Sequence, residues 1–132
     1  MTDTSWRLLF AAAALFNFGA GIPALLAPAS VLAALGIAPL PHDLFVRTTG
    51  WMIVLFGIGY WLVSRDLSRR ELVWLGALGK AGAFLLFAWA WGRGMLPLLP
   101  FALGVGDLLF AGAFVVFLRT PSRRAASSPA PR

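Results

Sequence analysis

Long apolar runs alternate along this chain with short polar or proline-containing breaks. Four of the runs reach the roughly 20 residues a helix needs to cross a bilayer. They are Leu8 to Ala27, Leu44 to Ser64, Leu72 to Gly92 and Leu98 to Leu118. All are continuously apolar, without the period-2 alternation of a membrane strand, so each predicts a helix. Between the first two lies "APASVLAALGIAPLPHD", apolar but too short to span. Pro28 and Ser30 can start a helix there and Gly36 can end it. That predicts a short helix over residues 29–35, lying at the membrane interface. The expected fold class is therefore all-α: an integral membrane four-helix bundle over residues 1–119, with a short interfacial helix between spans one and two. Residues 120–132 are rich in Pro, Ser, Ala and Arg and predict a disordered basic tail. No convincing internal repeat is present.

Composition strengthens the membrane reading. The chain has 132 residues, of which 60% are hydrophobic and 12% charged. Soluble domains are about a quarter charged, and a chain this short has too much surface to hide so large an apolar mass. Lipid is thus the expected solvent and the first expected partner. The absence of cysteine excludes disulfides, iron–sulfur clusters and thiolate chemistry. The single histidine, His42, falls in a loop, and no metal or cofactor is expected. A net charge of +6 would suit nucleic acid. The arginines flank apolar runs, however, and form no basic stripe with interleaved aromatics, so no nucleic-acid partner is expected.

Those arginines also predict an orientation. Arg7, Arg65, Arg69, Arg70, Arg119, Arg123, Arg124 and Arg132 fall on one side of a four-span topology, and Arg47 and Arg93 on the other. The positive-inside rule then places both termini in the cytoplasm. The first run is read as a span rather than a cleaved signal, because it exceeds a signal core and only Arg7 precedes it, beside Asp3. Arg47, with Thr48 and Thr49, opens the second span and has two readings. It snorkels to the interface, or it faces a polar cavity near the surface. Trp51, Trp61, Trp74, Trp89 and Trp91 read as interfacial anchors, and Tyr60 is grouped with them.

The candidate chemistry lies deeper. Lys80 is the only lysine and sits in the apolar run "LGALGKAGAF". At about 1.5 Å per residue it lies about 13–14 Å in from Glu71. By the same measure Asp107 lies about 18 Å in from Arg119, and Asn17 about 15 Å in from Arg7. All three reach nearly one level, close to the midplane of a core about 30 Å thick. An isolated charge there costs at least about 2.5–3.5 kcal/mol. Opposite charges at one depth offset that cost by pairing, so Lys80 and Asp107 are expected to pair, with Asn17 as a third partner. Small residues at helical spacing, among them Gly76, Ala77, Ala13, Ala14, Ala20, Gly21, Gly104 and Ala111, would let the helices close around them. Such a pair either fixes helix packing or marks a proton-relay or ligand-anchoring site. Arg47 is a secondary candidate. No glycine-rich phosphate loop occurs.

On "ALFNFGAGIPALLAP", "GIGYWLVSRD", "LGALGKAGAF" and "GDLLFAGAF", the chain resembles small bacterial four-helix membrane proteins of unknown function and, more distantly, the DoxX-like superfamily. The resemblance covers about residues 7–118 and is carried by Asn17, Gly79 with Lys80, and Asp107. It implies an inner-membrane protein, in some cases a membrane subunit of a quinone-linked oxidoreductase. It carries over no catalytic residue. The function expected is a non-enzymatic accessory or scaffold subunit, beside a redox or respiratory partner. The alternative is a small proton-coupled transporter, built as a homo-oligomer around Lys80 and Asp107. A membrane enzyme acting on a lipid or quinone, with the same pair doing acid–base work, stands third.

Overall fold

The computed structural model describes residues 1–121. Among them are five helices and no strand: α1 Asp3–Leu26, α2 Pro28–Ala34, α3 Leu44–Arg65, α4 Arg70–Gly92 and α5 Leu98–Arg119. The tail expected over residues 120–132 lies, from residue 122 on, outside the described residues.

The helix limits follow local chemistry. α1 begins ahead of its apolar run because the Thr2 hydroxyl accepts from the Ser5 amide and Asp3 sits in the first, electropositive turn. α2 opens on Pro28, whose missing amide would have been unsatisfied there in any case. Gly36 after α2 and Gly94 after α4 have φ of 70° and 68°, the left-handed geometry that stops a helix and favours glycine.

α1, α3, α4 and α5 run up and down in turn and close into a ring, with both ends of the described segment at the same end of the bundle. Trp6 near the start of α1 meets Phe117 near the end of α5. Two antiparallel pairs are tightly packed. In α1/α3, a Cβ on Gly50 would lie 2.6 Å from the Leu25 nitrogen, and one on Gly21 would lie 2.8 Å from the Gly50 carbonyl oxygen. The two backbones touch there, which only glycine allows. In α4/α5, Gly104 admits the ring of Phe87, which a Cβ would meet at 3.0 Å. The pairs join each other through aromatic side chains. Phe10 meets Phe114 and Phe117 at centroid distances of 5.0 and 5.1 Å, and Tyr60 meets Phe114 at 5.1 Å. Such contacts exceed simple area burial by about 0.5–1.5 kcal/mol each.

Three arginines cap neighbouring helices. Arg7 donates to the Ser64 and Arg65 carbonyls at 2.9 and 2.6 Å, closing the end of α3. Arg47 donates to the Leu25 carbonyl at 2.7 Å, closing the end of α1, and pairs with Asp43 at 2.9 Å. Arg70 donates to the Leu118 carbonyl at the end of α5. Terminal carbonyls lack helical partners and carry the negative end of the helix dipole, so a guanidinium suits them. Neither sequence reading of Arg47 named this backbone partner.

The outer surface is apolar. Leu8, Leu15, Leu78, Leu85, Leu86 and Leu109 are all at least 65% exposed. Soluble monomers rarely expose contiguous apolar patches of that extent. All four long helices are long and apolar enough to cross a membrane, with window hydropathies of 1.3 to 2.2. Trp51, Trp61, Trp74, Trp89 and Trp91 lie on this outer surface, whereas Tyr60 does not: it is 2% exposed in the core. The anchor reading of Tyr60 is corrected by Gly76, which leaves room for its ring. A Cβ there would sit 2.4 Å from Tyr60 Cε1.

Candidate functional site

Lys80 leaves α4 at the centre of the bundle and is 4% exposed. Its Nζ donates to Asp107 Oδ1 of α5 at 2.5 Å and to Asn17 Oδ1 of α1 at 3.0 Å. The three residues placed at one depth by helical rise thus meet at one point. Asn17 is oriented in turn by α3, because its Nδ2 donates to the Ile53 carbonyl at 3.1 Å. Gly57 makes that approach possible, since a Cβ on it would crowd the Phe18 ring at 2.7 Å and Asn17 Cβ at 3.3 Å. The four long helices therefore share one polar network.

Three rings cover the ammonium. Nζ lies 5.1 Å from the Phe16 centroid, 5.4 Å from Tyr60 and 5.2 Å from Phe110. A cation within about 6 Å of a ring face is attracted to the ring's negative face, more strongly when water is absent. Lysine has three hydrogens to place. Two go to Asp107 and Asn17, and the aromatic faces surround the ammonium otherwise.

Most of the small residues expected to seal the trio are buried, on both sides of it. One turn toward the chain ends, Ala13 and Ala14 are 0% exposed, Ala77 5% and Ala111 4%. One turn the other way, Gly21 and Gly104 are buried, Ala83 and Phe84 are half-buried and Ala20 is exposed. The closing role expected of Ala20 is therefore not met, because its methyl group faces outward.

The aromatic cover was not singled out in the sequence. Phe16 and Phe110 are neighbours of Asn17 and at i+3 from Asp107, a signal that becomes legible only once the helices are known to face one another. Arg47 lies far from the trio, on the end of α1. Among the described residues no group of three or more His, Cys, Asp or Glu side chains could hold a metal. The chain matches no protein-family model, no curated protein and no solved structure.

Proposed function

We propose that the chain is a four-span protein of the bacterial inner membrane, with both ends in the cytoplasm, and that it acts as a non-enzymatic accessory or scaffold subunit. One observation carries this reading. The two ionisable side chains between the helix ends, Lys80 and Asp107, neutralise each other at 2.5 Å while Asn17 ties the pair to α1 and α3. Charges arranged this way fix which helix faces which, a use attested for buried polar groups elsewhere. The orientation rests on arginines. Arg7, Arg47 and Arg70 have a capping role, but Arg65, Arg69 and Arg119 still outnumber Arg93. Placement beside a redox or respiratory partner rests on the DoxX-like pattern at Asn17, Gly79, Lys80 and Asp107 alone.

A second reading, a proton-coupled carrier working as a homo-oligomer, is favoured by the side-chain exposure of Asp107, 18% against 4% for Lys80. Affinity capture of the tagged chain from native membrane, under mild detergent, separates the two. A stoichiometric partner of different sequence is the result expected. Recovery of the chain with copies of itself alone would favour the carrier and contradict the subunit reading.

A further inference from the structure

The arginines at the end of the bundle that holds Trp6 and Phe117 divide into two groups. Arg7 and Arg70 are turned inward onto carbonyls, and Arg70 also lies over the Phe117 ring at 5.2 Å. Arg65, Arg69 and Arg119 are exposed. Among the described residues the side chains of Arg65 and Arg119 make no hydrogen bond or ion pair. Arg69 reaches Asp66 only at 3.5 Å, with side-chain exposures of 45% and 51%. Asp66 is already held by the Ser68 amide and hydroxyl, at 3.0 and 2.7 Å, and an ion pair so exposed is weak. Arg65 closes α3, Arg69 precedes α4, and Arg119 follows Leu118, whose carbonyl Arg70 holds. Three guanidiniums thus stand at the adjoining ends of α3, α4 and α5. The carboxylates at this end of the described segment are Asp3, Asp66 and Glu71, against five arginines. At the opposite end Arg47 is committed to Asp43 and the Leu25 carbonyl, which leaves Arg93.

What lies beneath these guanidiniums selects the partner. On α4 the apolar outer surface starts one turn in from Arg70 with Trp74 and continues through Leu78 and Leu85, which are 57%, 67% and 65% exposed. Their spacing puts them on one face of the helix. On α3, Trp61 lies one turn in from Arg65 and is also exposed. Tryptophan favours the level of the head groups, and an arginine stem reaches outward from there to bring its charge to the surface. Cations above an apolar stripe match a molecule built in the same order: an anionic head on hydrocarbon chains. A nucleic acid or an acidic protein would meet the cations and leave the stripe uncovered. A zwitterionic lipid would cover the stripe but bring its own cation to the arginines.

We propose that this end of the bundle binds anionic phospholipid in preference to zwitterionic, with the head-group phosphate against Arg65, Arg69 and Arg119 and the acyl chains along the outer face of α4. The inference rests on the membrane reading above, and it gives the scaffold a lipid partner of stated charge. It leaves Lys80 and Asp107 in their packing role. Arg7 and Arg70 hold the helix ends on which the exposed guanidiniums stand.

The test uses the full chain. Flotation with phosphatidylcholine vesicles comes first, and a chain that does not float contradicts the membrane reading itself, before any lipids are compared. Native mass spectrometry then reads which lipid stays bound, from micelles holding equal amounts of phosphatidylglycerol and phosphatidylcholine with matched acyl chains. The parent should retain phosphatidylglycerol preferentially. Arg65→Gln, Arg69→Gln and Arg119→Gln, each shown folded by its melting curve, should each lower that preference about fivefold, as expected for one arginine beside an anionic head group. Lysine at all three positions should keep the preference, and Arg93→Gln should leave it unchanged. Raising the salt from about 0.05 M to about 0.5 M should shrink it in the parent, because exposed charges are screened. Equal retention of the two lipids by the parent overturns the inference. So does a preference that salt does not change, a readout that needs no variant to fold, or one that survives all three glutamine changes. Displacement of phosphatidylglycerol by millimolar inorganic phosphate would show a site for the free anion and overturn the lipid assignment.

Discussion

At the scale of the residue, the bundle's interior is set by what glycine omits. Gly76 and Gly112 lie in similar apolar helices, yet a Cβ on Gly76 would meet Tyr60 at 2.4 Å while one on Gly112 meets nothing within 4 Å. Gly76→Ala is therefore expected to lower stability by about 1–3 kcal/mol, the usual range for overpacking. Gly112→Ala should be neutral or slightly stabilising, because alanine restricts the unfolded chain. Melting curves in one detergent compare the two, and equal effects would contradict the packing described here. The Tyr60 hydroxyl matters less, since its contact with the Gly76 carbonyl is long, at 3.5 Å. Tyr60→Phe should change stability by no more than about 1 kcal/mol. The sequence could not separate these cases. Gly76 and Gly112 look alike until the ring that fills one of them is located, and Tyr60 lies near a span end where an anchor is the ordinary reading.

At the scale of the element, the helices were legible because the apolar runs are long, continuous and separated by polar or proline-containing breaks, with Pro28 and Gly36 bounding the short helix between the first two. Rise per residue was enough to bring Asn17, Lys80 and Asp107 to one level, since depth depends on counting alone. The angular relations were not legible. Counting residues does not say that the end of α1 lies beside the start of α3, so the Leu25 carbonyl could not be named as the partner of Arg47. The same limit hid the aromatic cover over Lys80 and the exposure of Ala20. The caps lead to a prediction. Arg47→Ala leaves the Leu25 carbonyl without its charged donor and should cost about 1 kcal/mol, within the range for cations at helix C-termini. The Arg93 side chain makes no hydrogen bond or ion pair among the described residues, and Arg93→Ala should leave the melting temperature unchanged. An unaffected Arg47→Ala would mean that its contact is incidental.

At the scale of the whole molecule, the bundle is two close pairs joined by aromatic rings and by the hydrogen bond from Lys80 to Asn17. The start of α1 and the end of α5 lie at the same end of the bundle, so reporters fused to the two termini should report the same compartment, the cytoplasm under the proposed orientation. Opposite readouts would contradict the four-span ring. An active periplasmic reporter at both ends would overturn the orientation while leaving the fold intact. Spin labels over residues 29–35 should show interfacial depth, since α2 is too short to span and is anchored by Pro28 and Leu32, its buried residues. Free motion in water there would count against that placement.

The claim on which the rest depends is that Lys80 and Asp107 join α4 to α5 as one neutral unit, which Asn17 ties to α1 and α3. A double-mutant cycle on detergent-melting stability tests it most directly, with Lys80→Met, Asp107→Leu and both together. Each single change strands a charge in the bundle and should cost about 3–5 kcal/mol. The double change removes both charges and should recover most of that loss, because apolar replacement of a buried pair is often neutral. Recovery in the double variant is the result this account predicts. Losses that simply add would contradict it, showing that the two side chains do not act on each other.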